Sequence, residues 1–304
     1  MIEFKKVKLN INNIDILSDI SFSIADKKTV CFLGNKSSGK TAILKLISGI
    51  YKSFEGEILI DGIDIKKEHK LKVGILNDKI EIDNDISVYD YLSFYGNIYH
   101  TKDKNELDTF IDDKLSEFSL MSYKHTFLGQ IDKETYKFID LIRVLIDDPD
   151  IILFDNIFFG DNVEYHERMY NYIKTMLKKK TIIFASRNTN FIEDICDYYG
   201  ILDRGHLVIF DKKNEVHRYA DIANKIEVEI ISNVDSAVNI LKNNKSVVDI
   251  SYSDNNITFS IVSSEDDKHI KNIESSILKE LIDNGVKVYS YRKQQVRFEQ
   301  LFSG

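Results

Sequence analysis

The sequence predicts two parts: an α/β domain over residues 1–222 and a small α+β domain over 223–304. Three observations predict them. Gly34 to Thr41 read G-N-K-S-S-G-K-T, a full match to G-x-x-x-x-G-K-[ST], set between an apolar run and a helical pattern. Strand-like and helix-like segments then alternate through the first part, as they do in an α/β sheet domain. Near Ala223 the pattern changes to short alternating strands and two amphipathic helices in the order β-α-β-β-α-β.

Each element has a local reason. Ile2–Lys8 and Ser21–Ile24 read as strands, and Thr29-Val-Cys-Phe-Leu33 as a buried strand leading into the glycine loop. Thr41–Ile47 is the helix after the loop, and Gly56–Asp61 and Val73–Leu76 are further strands. Ser87, with Asp90 three residues on, opens a helix in a capping-box arrangement, and residues 87–145 form a mostly helical subdomain. After the turn Asp147-Asp-Pro-Asp150, Ile151–Asp155 is a buried strand ending in an acid. Glu164–Lys178 is a helix and Thr181–Ala185 a buried strand. Gly200–Arg204 and His206–Phe210 form a hairpin turning at Asp203-Arg-Gly205. In the second part Ile226, Val228 and Ile230 alternate with acids, and Val234–Asn243 is a short helix. Two more strands follow, then a helix over Ile270–Asn284 with Gly285 as its C-cap, and the last strand, Val286–Tyr291. This is the element order of a ferredoxin-like split unit. A tail, Val296–Gly304, follows.

The glycine loop carries a specific chemistry. Backbone N–H groups of Gly34, Asn35, Lys36, Ser37, Ser38 and Gly39, with those of Lys40, Thr41 and Ala42 at the helix start, cradle an anionic phosphate. Lys40 is expected to reach the β- and γ-phosphates, and the Thr41 hydroxyl to ligate Mg²⁺. Such a loop needs an acid at the end of a neighbouring buried strand to position the metal, and Asp155 supplies it. The cofactors read from these residues are a nucleotide and Mg²⁺.

Composition narrows the setting. Hydrophobic content of 43% and charged content of 30% are ordinary for a soluble globular chain. A net charge of −8 argues against a nucleic-acid-binding surface as the main role. Cys31 and Cys196, both in apolar settings, read as reduced core residues. No run is long and apolar enough to span a bilayer, and the N-terminus has no signal-peptide pattern. Action at a membrane is therefore expected through a partner.

Residues 1–220 resemble the ATP-binding subunit of an ABC transporter. Beyond the loop and the acid, Ser18-Asp-Ile-Ser-Phe-Ser resembles that family's lead-in strand, and Phe54-Glu-Gly-Glu-Ile-Leu-Ile-Asp-Gly62 its hairpin. Leu141–Pro149 is similar to the helix and turn before the acid strand, and Ile201–Ile209 to the closing hairpin. The C-terminal extension resembles that of bacterial drug, lipid and antimicrobial-peptide exporters. The resemblance implies a P-loop ABC-type nucleotide-binding domain and a transmembrane permease partner. It also implies pairing with a second ATP-binding subunit, as a homo- or heterodimer, and a cytoplasmic place on the inner face of the membrane.

The same resemblance marks departures. The family's catalytic glutamate after the metal acid is Asn156, its switch histidine is Arg187, and its loop glutamine, which senses γ-phosphate, is Asp78, here a candidate third metal ligand beside Thr41 and Asp155. Its L-S-G-G-Q signature, which clamps ATP on the opposite subunit, falls on Ile131-Asp-Lys-Glu-Thr135, with acids at Asp132 and Glu134. The adenine-stacking aromatic falls near Ile11. These swaps imply a subunit that binds Mg-ATP with weak or absent hydrolysis. Asp78 and Arg187 are an opposite-charge pair that can bridge the γ-phosphate position, or divide its phosphate and metal between them. Of the aromatics Tyr89, Tyr91, Phe94, Tyr95 and Tyr99 in the helical subdomain, about half read as core packing and the rest as an exposed permease-docking groove. The alternative is a nucleotide-gated regulatory or immunity-type binding protein on the same fold.

Overall fold

A computed structural model describes residues 1–67, 72–77, 84–99, 103–187, 191–216, 225–244, 246–261 and 267–294. The chain divides into two compact units, Met1–Lys212 and Lys213–Gly304.

In the first unit β1 (Ile2–Ile11) and β2 (Ile14–Ile24) form an antiparallel hairpin extended by β4 (Glu55–Ile60) and β5 (Ile63–Asp64). The turn is Asn12-Asn13, both at positive φ, a conformation asparagine tolerates and two-residue hairpins require. β2 therefore begins seven residues before the Ser21 expected from sequence. Bulges at Lys6 and Asp19, also at positive φ, break the alternation that would have revealed it.

A six-stranded sheet lies beside this one, ordered β10-β9-β3-β8-β7-β6. Its members are β3 (Thr29–Leu33), β6 (Val73–Leu76), β7 (Ile151–Asp155), β8 (Thr181–Ser186), β9 (Tyr198–Asp203) and β10 (His206–Lys212). β9, β3, β8, β7 and β6 run parallel, and β10 returns antiparallel. β3, β7 and β8 are buried at every position, which is why they read as unbroken apolar runs. Phe4, Phe22, Phe32 and Phe210 join the two sheets through ring contacts at centroid distances of 4.4 to 6.0 Å.

α1 (Lys40–Ile47) follows β3 across the glycine loop, and α5 (Val163–Met176) follows β7. The helical subdomain holds α2 (Val88–Tyr99), α3 (Lys104–Glu117) and α4 (Lys133–Leu145). At the start of α2 the Ser87 hydroxyl accepts the Asp90 N–H at 3.1 Å and donates to its carboxylate.

The second unit has β11 (Lys225–Ser232), α6 (Val234–Asn243), β12 (Val247–Ser253), β13 (Asn256–Ile261), α7 (Asp267–Asp283) and β14 (Lys287–Gln294). Its sheet is antiparallel throughout, in the order β12-β13-β11-β14. Ile226, Val228, Ile257, Phe259, Leu241 and Leu281 are among its core residues. The tail from Val296 lies outside the described residues.

Candidate nucleotide site

The glycine loop leaves the C-terminal end of β3, the strand between β9 and β8. Gly34 has φ 153°, and a Cβ there would sit 2.2 Å from the carbonyl oxygen of Leu202. Gly39 has φ 104°, and a Cβ there would lie 2.5 Å from Leu17 Cδ2. Both positions require glycine, for backbone conformation and for space. Asn35, Lys36 and Ser37 are exposed, and Ser38 is buried. Lys40, Thr41 and Ala42 open α1, where amide groups have no carbonyl one turn back to bond. Their N–H groups and the positive end of the helix thus face the loop.

Lys40 is buried, and its Nζ donates to Gly34 O at 2.7 Å, Asn35 O at 2.8 Å and Ser38 Oγ at 3.1 Å. Burial, the largest influence, pushes its pKa down to about 8; Asp155 acts upward on it, and the charge of Arg187 acts further downward. Asp155 ends β7, buried, and the Thr41 hydroxyl meets both of its carboxylate oxygens, at 3.0 and 2.9 Å. A hydroxyl and a carboxylate at the mouth of a phosphate loop are the hard oxygens Mg²⁺ takes from protein when phosphates supply others. Among the described residues no three His, Cys, Asp or Glu side chains gather, so this pair suits a metal shared with a nucleotide better than an all-protein cage. The residues present fit Mg-ATP.

The remaining expected positions fall as follows. Asn156 follows Asp155 directly, at positive φ, and its N–H donates to Ala185 O at 2.8 Å. Arg187 is exposed just past β8, close enough for its charge to act on Lys40. Asp78, and with it the proposed Asp78–Arg187 pair, lies outside the described residues. Ile11, at the end of β1, is half-buried against the core and offers no ring to a base.

The Ile131–Thr135 segment is the N-terminus of α4. Asp132 is its N-cap, accepting from Glu134 N at 3.1 Å, Thr135 N at 2.8 Å and the Thr135 hydroxyl at 2.6 Å. Burial opposes its charge, but the Thr135 hydroxyl and the two backbone N–H groups outweigh burial and hold the carboxyl below its ordinary range. Glu134 accepts a hydrogen bond from Asn162, the N-cap of α5. On α2, Tyr89 donates to Asp108 at 2.7 Å and Tyr91 to Asp140 at 3.1 Å, while Phe94 and Ile98, one turn apart, are exposed.

Sequence reasoning missed one brace. Gly205, in the β9–β10 turn, donates to Ser38 O at 3.1 Å and accepts from Ser18 N at 2.8 Å, tying the loop to β2 and to the closing hairpin. Its signal was the Asp203-Arg-Gly205 turn, whose Arg204 and Gly205 both have positive φ.

The ABC transporter family model matches residues 17–158. Residues 17–158 form an ABC transporter ATP-binding domain. An uncharacterized ABC transporter ATP-binding protein of Methanocaldococcus jannaschii, MJ1023, is 29% identical over 235 residues, 75% of this chain and 85% of that protein. The linearmycin resistance ATP-binding protein LnrL of Bacillus subtilis is 21% identical over 99% of this chain and 97% of its own length. Among solved structures, the dimeric ATP-binding cassette MJ0796 bound to ADP and Pi superposes with a TM-score of 0.62 at 18% identity, covering 70% of this chain and 99% of that one. ABC ATP-binding domains bind ATP, generally with Mg²⁺, and such subunits dimerise and work with transmembrane permeases. Among the described residues no helix of this ABC domain is long and apolar enough to cross a membrane.

Proposed function

We propose that the chain is the ATP-binding subunit of an ABC transporter complex, one that binds Mg-ATP and hydrolyses it weakly or not at all. The observation that carries this reading is a contrast between two faces. The loop face is assembled: Lys40 lies on the loop carbonyls, Thr41 meets Asp155, and the α1 amides open to the same mouth. The hydrolytic face is not. Asn156 can orient a water but cannot take its proton, a deficit of roughly 10²–10⁴ in rate. At α4, the amides of Glu134 and Thr135 are already occupied by the carboxylate of Asp132. A phosphate on an opposing subunit would meet that negative charge where the family presents serine and glycine.

Lys40 and the loop amides hold the phosphates, Thr41 and Asp155 hold the metal, and Asn156 positions a water without activating it. When bound, Mg²⁺ supplies charge neutralisation at the phosphate oxygens. Coupling to the permease runs through the helical subdomain, where Phe94 and Ile98 are exposed on α2. The full-length likeness to a protein named for linearmycin resistance favours an export role. The test is paired measurement of ATP binding and turnover by the purified full chain. Binding lost in Lys40→Ala, with turnover far below that of an intact family member, is expected. Multiple-turnover hydrolysis at ordinary family rates, abolished by Lys40→Ala, would overturn the reading.

A further inference from the structure

Among the described strands β6 ends its sheet, and side chains of α4 reach its carbonyls. Arg143 Nη2 donates to Ile75 O at 2.9 Å, and the fully buried Lys137 donates its ammonium to Asn77 O. Arg143 is itself held by Asp140, which also accepts from Tyr91. The main chain of Asn77 is therefore fixed at the C-terminal end of β6, before any ligand arrives.

Leu76 pairs with Phe154 in parallel register at the end of β6, and Asn77 and Asp155 are the residues that directly follow that pair. Asp155 turns its carboxylate to Thr41. Asn77 Oδ1 is buried and accepts no hydrogen bond from any described group. A buried acceptor left without a donor is costly, and such atoms in native folds usually await a water or an ion. Asn77 directly follows the strand beside the one that ends at Asp155, whose carboxylate and the Thr41 hydroxyl fit Mg²⁺, an ion that keeps several waters of its own.

We propose that Asn77 is a positioning residue of the metal site, its Oδ1 accepting a hydrogen bond from a water in the Mg²⁺ shell. The inference rests on the reading of the Gly34–Thr41 loop and Asp155 as a Mg-ATP site. It adds a neutral oxygen from just past β6 to the Thr41 hydroxyl and the Asp155 carboxylate.

The experiment measures ATP affinity of the full chain in Mg²⁺ and in EDTA, and Mn²⁺ affinity by electron paramagnetic resonance with ATP present. The variants are Asn77→Leu and Asn77→Asp. Asn77→Leu should lower the Mg²⁺/EDTA affinity ratio and the Mn²⁺ affinity about tenfold, the low end of second-shell losses, while EDTA affinity stays near wild type. Without nucleotide it should melt about 2–4 °C above wild type, because the orphaned acceptor is gone. Asn77→Asp, which keeps the oxygen, should hold or raise the ratio. An unchanged ratio in Asn77→Leu, or a ratio lost in Asn77→Asp, would overturn the inference. Wild-type protein that binds no ATP with or without Mg²⁺ would instead overturn the nucleotide reading beneath it.

Discussion

Lys40 gives the nucleotide site a proton coupling that can be measured directly. Its ammonium is buried against loop carbonyls, and burial holds its pKa at about 8, below the ordinary 10.5. A polyphosphate beside it favours the charged form, so nucleotide binding raises that pKa. The sign follows by linkage: the bound state holds more protons above pH 8, so ATP affinity falls as pH rises through 8. With a bound pKa at or above 10.5, affinity drops about 15-fold between pH 8 and pH 9.5, and binding at pH 8.5 takes up about 0.7 proton. Calorimetry at pH 8.5 in buffers of different ionisation enthalpy counts that proton, and titrations from pH 7 to 9.5 give the slope. Lys40→Arg supplies the control, because guanidinium does not deprotonate in this range and its affinity should be flat. A flat wild-type profile, or an equal decline in Lys40→Arg, would refute the assignment of the proton to Lys40.

Two further outcomes are expected from substitution. Asn156→Glu installs a carboxylate next to Asp155 and should raise single-turnover ATP cleavage, towards the ~10²–10⁴ that a general base contributes; quench-flow showing no change would place the limiting defect elsewhere. Asp132→Ala removes the α4 cap and should cost about 1 kcal/mol, a loss of about 2–4 °C in melting temperature. The Asp132 contribution has the sign of a lowered carboxylate pKa: present above the unfolded value of 3.8, and lost as pH falls through the folded pKa. A melting difference between wild type and Asp132→Ala that persists unchanged at pH 2 would contradict it.

The elements most legible in the sequence are those whose pattern is local. β3, β6, β7 and α6 run between the residues read for them, because short apolar runs or a clean amphipathic period end at turn residues. β2 was read short because Asp19 breaks its alternation, and that bulge is set by pairing with β1. The same division holds within the site. Gly34–Thr41 are contiguous and announce themselves. Thr41 and Asp155 are 114 residues apart, and only the loop's need for an acid at the end of a buried strand joined them before the fold did. The Gly205 brace, the Arg187 charge on Lys40 and the carbonyls held by Lys137 and Arg143 depend on neighbours from distant strands and helices. No periodicity encodes such relations.

That division also explains why the two faces can part company. The phosphate cradle is built largely from backbone, two glycines, a loop and a helix start, with the side chains of Lys40, Thr41 and Asp155. The hydrolytic face depends on single side chains with narrow chemical duties, a base after Asp155 and small donors at the head of α4. One substitution removes a base without disturbing β7, since Asn156 keeps its backbone bond to Ala185. Asp132 likewise caps α4, satisfying the same amides that would otherwise meet a phosphate. Both changes leave these backbone groups hydrogen-bonded. On the proposed reading, such a subunit would lose turnover while keeping nucleotide binding, so an ATP-dependent conformation would remain available to it without hydrolysis.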